Sequence, residues 1–110
     1  MSDPHFHKNY PFGIKETIDA DSYANVVKIF DEFVTKYSDL PAFSCMGRTV
    51  SFSELNAKSD DFAAWCLTDA GMQPGERIAV QLPNILQFPV VVWGALKAGL
   101  VVVNTNPLYT

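Results

Sequence analysis

ERIAVQLPN (76–84), ILQFPVVVWGALKAG (85–99) and LVVVNTNPLYT (100–110) read in turn as a strand, a helix and a second strand. In the first, Arg77 to Leu82 alternates, with Ile78, Val80 and Leu82 on one face and the small Ala79 on the other. The helix is expected to start near Leu86 or Gln87, because Pro89 is tolerated only in a first turn. It should end at Gly99, with Lys97 placed where a cation favours the carbonyl end of the dipole. Leu100 to Val103 is a continuous apolar run, the pattern of a strand buried on both faces. A strand–helix–strand unit builds parallel sheet, and its crossover should be right-handed. With this unit at the end of the chain, the expectation is the opening of something larger, with chemistry beyond residue 110.

Upstream of it, Gln73-Pro74-Gly75-Glu76 has the residues of a type II turn. Before that, Ser51-Phe52-Ser53-Glu54 fits a capping box: the serine oxygen takes one orphan amide and the glutamate reaches back for another. Phe52, Leu55, Phe62, Ala63, Cys66 and Ala70 follow at helical spacing, and Gly71 suits a left-handed C-terminal position. Lys58, Asp60, Asp61 and Asp69 fall mainly on the outer face. Ala42–Met46 and Thr49–Phe52 flank Gly47-Arg48 and predict a short hairpin closed by a type II′ turn. A further helix is expected over Ser22–Tyr37, with Ser22 as its N-cap. Its apolar stripe is Tyr23, Val26, Val27, Phe30, Phe33, Val34 and Tyr37. Ser38, Asp39 and Pro41 stop it. Residues 1–21 read as a lead-in and 22–110 as the start of a domain incomplete at its C-terminus.

The chain has 110 residues, 48% hydrophobic and 13% aromatic, enough to bury a core. Eight basic against 12 acidic residues give a net charge of -4, which leaves no electrostatic footprint for nucleic acid or anionic lipid. Cys45 and Cys66, in apolar contexts, match no zinc or redox spacing and read as reduced core thiols of a cytosolic protein. The N-terminus carries Asp, His and Pro where a signal peptide needs an apolar core. Lys97, Gly94 and Gly99 break the run Phe88–Val103, so a buried helix and strand explain it better than a membrane span.

Visible chemistry is scarce. His5 and His7 have metal-ligand spacing but no third ligand. Asp60 and Asp61 read as a solvated helix face. Gly47 is a turn glycine, and Asn84 is expected to cap the last helix. The loop Pro83-Asn84 lies between strand and helix, where many α/β proteins bind phosphate. It has no glycine, and neither a dinucleotide fingerprint nor a P-loop occurs. No serine sits in a nucleophile elbow, no cysteine has a histidine partner, and no carboxylates pair for acid–base work. No catalytic, cofactor-binding or metal-binding residue is therefore assigned.

Several segments together resemble a known family. Val50-Ser51-Phe52-Ser53-Glu54-Leu55 looks like the first core motif of the adenylate-forming (AMP-binding) enzymes. Leu96-Lys97-Ala98-Gly99 with Val101-Val102-Val103 looks like the second. Gly75–Val80 and Leu82-Pro83-Asn84 between them also fit. Within that superfamily the likeness is strongest to bacterial long-chain fatty-acid–CoA ligases. It is carried by Asn9-Tyr10-Pro11, Pro41-Ala42-Phe43, Pro83–Pro89 and Val103–Thr110.

The resemblance implies an α/β fold: a partial N-terminal subdomain with three helices, a β-hairpin and a parallel βαβ unit. It implies a parent ligase that uses ATP, magnesium and coenzyme A to turn a fatty acid into acyl-CoA through an acyl-adenylate. The family's phosphate loop, ribose-binding acid, hinge and catalytic lysine lie downstream of both motifs. None has a matching position here. The chain alone is therefore expected to be inactive and to bind none of these cofactors. Its expected partner is the remainder of the ligase, with self-association through an exposed sheet edge. The expected location is cytoplasmic, with the parent peripheral on the inner membrane as an alternative. Two other readings compete: another acyl- or aryl-CoA synthetase, and a stand-alone α/β interaction module. A small nucleotide-binding protein is disfavoured by the missing glycines.

Overall fold

The computed structural model describes residues 7–15 and 17–109. Among them the elements run α1 (Val26–Lys36), β1 (Pro41–Cys45), β2 (Arg48–Ser51), α2 (Phe52–Leu67), β3 (Arg77–Val80), α3 (Gln87–Lys97) and β4 (Val101–Asn104). β1 and β2 pair antiparallel, and β3 and β4 pair parallel, with Ile78 opposite Val102. Three helices, a hairpin and a parallel βαβ unit are thus all present, as the alternation and helical spacing require.

The capping box is formed as the sequence predicts. Ser51 Oγ accepts from the Glu54 amide at 3.2 Å, and Glu54 Oε2 accepts from the Ser51 amide at 2.9 Å. That second bond, from the Ser51 backbone amide, favours the ionised carboxylate and lowers the Glu54 pKa. A depressed folded-state pKa adds stability above the ordinary glutamate value and loses it as pH falls through the lowered one. Urea unfolding followed from neutral pH into the acid range should therefore show a loss of stability on the acid side. Glu54→Gln is expected to flatten that part of the profile; an unchanged profile would refute the assignment.

Three local expectations need correction. The first helix starts four residues later than predicted, and its N-cap is Asn25, whose Oδ1 accepts from the Lys28 amide at 3.1 Å. Ser22 instead donates its hydroxyl to the Asp19 carbonyl, and Tyr23 donates its hydroxyl to Glu32. Both Ser and Asn make good caps, so the local code alone did not separate them. The hairpin turn is also shifted by one residue. Cys45 pairs with Arg48, which leaves Met46-Gly47 as the two-residue loop. Both have positive φ, 50° and 77°, so the turn is type I′ rather than II′. Finally, β4 is not buried on both faces. Leu100 is buried, but Val101 and Val103 point outward at 48% and 42% exposure. The outer face of the small sheet, with Ala79 on it, is uncovered in this chain.

The core falls into two clusters. Phe30, Val34, Val50 and Leu55 pack with Phe52, Leu86, Val90 and Trp93, where the Phe30 and Trp93 rings stack at 4.3 Å. Cys66, Ala95, Ala98 and Leu100 pack with Phe62, Met72, Ile78 and Val102. α2 and α3 contribute to both clusters and form the most extensive contact between elements. Elsewhere on α1 the predicted stripe is only half used: Val26 and Phe33 remain exposed.

Candidate functional site

In open α/β sheets, ligands bind outside the carboxyl ends of the strands. Here that position is a crevice of about 620 Å³ between the loop after β3 and the loop after β4. Val80, Leu82, Pro83 and Phe88 form its apolar side, while Asn84, Asn104, Thr105 and Asn106 bring polar groups. The Thr105 amide donates to the Val80 carbonyl at 2.9 Å and holds the two loops together. Asn106 organises the outer loop. Its Oδ1 accepts from the Leu108 amide at 2.9 Å, and its carbonyl accepts from Tyr109 at 3.1 Å. Leu108 and Tyr109 are left largely exposed at the mouth. Carboxamides and a hydroxyl can orient a neutral or polar group, but the crevice lining has no carboxylate, histidine or lysine to move a proton.

α3 begins beside this crevice. Its N-cap is Leu86, in helical conformation and without a side-chain cap bond. Asn84 therefore does not cap the helix; its carbonyl instead lies 3.7 Å from the Cys45 thiol. Proline occupies the third helical position, where its missing N–H costs nothing.

The position of α3 is set from its other end. The Lys97 side chain is only 10% exposed, and its ammonium reaches across to α2. It donates to Asn56 Oδ1 at 2.7 Å, Ser59 Oγ at 2.8 Å and Asp60 Oδ1 at 2.7 Å, with the Asn56 carbonyl at 3.3 Å. It also sits 4.9 Å from the centre of the Phe30 ring. Three N–H donors thus meet convergent acceptors, as burial of an ammonium demands. One turn earlier, Gly94 lets α2 come into direct contact: a Cβ there would lie 2.7 Å from the Ser59 carbonyl oxygen. Gly99, at φ 78°, packs against Pro74.

This clasp was not evident from sequence, where Lys97 reads only as a dipole cation and Asp60 as a solvated carboxylate. The available signal was Asn56, Ser59 and Asp60 at helical spacing on α2, opposite a lysine with Gly94, Ala95, Ala98 and Gly99 close to it in sequence.

Other sequence candidates stay apart. His5 lies outside the described residues. Among the described residues no three His, Cys, Asp or Glu side chains form a metal-binding group, and Asp61 stands on the surface away from the clasp. Cys66 is a core thiol whose pKa burial pushes up; Cys45 is only half-buried, and both are free. Gly47 serves the hairpin turn. No helix among the described residues is long and apolar enough to cross a membrane.

A family model described as AMP-binding enzyme matches residues 30–110. The long-chain-fatty-acid–CoA ligase of Yersinia pestis is 42% identical over 94% of this chain, and that of Salmonella typhimurium is 43% identical over 92%. The chain spans about 18% of the length of these curated relatives. Among solved structures, VinN with L-aspartate aligns at TM-score 0.75 and 34% identity, over 80% of this chain and 25% of that one. The N-terminal subdomain of Klebsiella oxytoca NpsA aligns at TM-score 0.74 and 22% identity, over 77% of this chain and 22% of that one, a likeness of fold.

Proposed function

The chain belongs to the AMP-binding enzyme family, and from that premise we propose that it is the N-terminal part of a long-chain fatty-acid–CoA ligase. The observation that carries this reading is the 42–43% identity to such ligases over more than nine-tenths of the chain. In the proposed reaction a fatty-acid carboxylate attacks the α-phosphate of ATP. The bond to pyrophosphate breaks and an acyl-adenylate forms. The thiol of coenzyme A then attacks the acyl carbon, AMP leaves, and the thiol proton passes to solvent or a base.

This chain's part is structural and orienting. The clasp and the Gly94 contact fix α3 against α2, and α3 in turn fixes the loop 81–86 that walls the crevice. Magnesium would neutralise charge on the ATP phosphates. The described residues form no group of three or more His, Cys, Asp or Glu that would hold it. Among the described residues that line the crevice none is a carboxylate, histidine or lysine, and the Tyr109 phenol stands exposed at its mouth; the chain is proposed to be inactive by itself.

The test is pyrophosphate release with oleate, ATP and coenzyme A, run on this chain and on the full-length gene product. Release is expected only from the full-length protein. Turnover by this chain would refute its inactivity. A full-length protein that releases pyrophosphate with aryl acids and not with oleate would transfer the assignment to another acyl- or aryl-CoA synthetase. A gene product that ends at Thr110 would favour the stand-alone module.

A further inference from the structure

The segment ahead of α1 presents large apolar side chains to solvent. Tyr10, Phe12 and Ile14 are exposed at 41%, 108% and 59%. Two reverse turns hold them in place. The Tyr10 amide donates to the His7 carbonyl at 3.1 Å, and the two rings meet edge-on at 5.6 Å. The Ile14 amide donates to the Pro11 carbonyl at 3.1 Å, with Gly13 at φ 87°, the dihedral required at the third position of a type II turn. Phe12 is thereby fixed at the tip of that turn, its ring in water. Lys8 and Lys15 flank the two turns; both are exposed, and neither makes an ion pair among the described residues. They are two of the chain's eight basic residues, and none of its 12 acids falls between residues 7 and 15. The acids resume with Glu16, Asp19 and Asp21, and Asp19 Oδ1 accepts from the Asp21 amide at 3.1 Å. The net charge of -4 averages over this segment and conceals it.

We propose that this double turn is an attachment point for an anionic lipid surface. Phe12 enters the headgroup boundary with Tyr10 and Ile14 behind it, and Lys8 and Lys15 meet the lipid phosphates. A tip of three side chains is too small for a protein partner. Aromatic side chains bury about 150–250 Å² each, whereas a stable protein interface takes about 800 Å² from each side. Addition as a strand to a sheet edge is closed as well, because Pro11 has no amide to give and the chain bends at Gly13. A lipid interface needs neither broad area nor backbone partners. It accepts single aromatic and aliphatic side chains at headgroup depth, with lysines reaching outward beside them. One apolar insertion or one basic pair alone holds a protein weakly, and the two signals together give reversible attachment. This surface role stands independently of the ligase reading.

The test is co-sedimentation of this chain, and of the full-length gene product, with vesicles of equimolar phosphatidylglycerol and phosphatidylcholine. Vesicles of phosphatidylcholine alone run in parallel. Both proteins are expected to bind the anionic vesicles about tenfold or more tightly than the neutral ones, since each lysine at an anionic surface contributes about fivefold. Phe12→Ser should weaken binding by about tenfold. Lys8→Gln combined with Lys15→Gln should remove the preference for anionic vesicles. All three side chains are exposed, so neither variant should change the amide NMR spectrum beyond its own neighbourhood or the thermal midpoint. A nitroxide-labelled lipid should broaden the amide signals between residues 8 and 15 of this chain. Val101→Ser combined with Val103→Ser, on the outer sheet face, should bind like the original. The proposal is overturned if either protein fails to bind, if Phe12→Ser binds equally well, or if the double lysine variant keeps the anionic preference. Broadening centred on residues 101–104 would overturn it too. A lowered thermal midpoint of full-length Phe12→Ser would place the turn against the body of the larger protein, and a changed oligomeric state would place it against a second copy; either result overturns the lipid assignment.

Discussion

Gly94→Ala is expected to destabilise this chain by about 1–3 kcal/mol, the range for overpacking a tight core contact. Alanine is the better helix former by about 1 kcal/mol, so an exposed glycine in α3 would gain from this change. Here the added Cβ would lie 2.7 Å from the Ser59 carbonyl oxygen and 2.9 Å from the Phe62 Cβ. The first belongs to the α2 backbone and the second is fixed to it, so neither can swing away. α3 must move off α2, and both core clusters loosen because both are built on that helix pair. Thermal unfolding should show a midpoint lower by on the order of 10 °C. A gain in stability would mean that the helices are farther apart than described.

Lys97→Met should cost about 2 kcal/mol. Methionine keeps the aliphatic stem and removes the ammonium, so the loss isolates the polar clasp. Hydrogen bonds to a charged group contribute about 1.5–3 kcal/mol each, and breaking a fully buried ion pair costs about 3–5 kcal/mol. The smaller figure applies because Asp60 is 61% exposed and returns to water when its partner is removed. Ser59 is fully buried but still donates to the Asn56 carbonyl at 2.9 Å. Lys97→Arg is not expected to rescue. A planar guanidinium is longer and cannot place three donors on acceptors that converge on one point. Urea unfolding of the two variants checks both statements, and an arginine variant as stable as the original chain would refute the geometric one.

What could be read from sequence follows from how local each signal is. Ser51 and Glu54 lie within one turn, and the capping box they spell is the one that forms. Pro74-Gly75 and Gly71 likewise dictate backbone by their own chemistry, with φ of 91° at Gly75 and 64° at Gly71. The βαβ order fixes where strand ends, loops and crevice must lie. The hairpin turn was harder because it puts a methionine, with no preference for positive φ, beside the glycine. The exposure of Val101 and Val103 could not be read, since a strand covered on one face or two carries the same valines. Lys97 shows the limit most clearly. Its partners are on another helix, and nothing near it in sequence announces three acceptors waiting there. The family resemblance was legible because its motifs lie in the same elements that make the fold: the capped α2 and the α3–β4 junction.

The lysine clasp also has a bearing on the order of assembly. Its hydrogen bonds join residues 37 to 41 positions apart, with the whole of β3 in the loop between. Closing such a loop costs entropy that must be met before the ammonium gains any partner. The hairpin and the individual helical turns close over a few residues and carry no such burden. The clasp is therefore expected to form no earlier than the packing of α3 on α2, which closes the same loop. Contacts absent from the transition state act on the unfolding limb, so removal of the Lys97 ammonium is expected to speed opening of the native chain more than it slows closing.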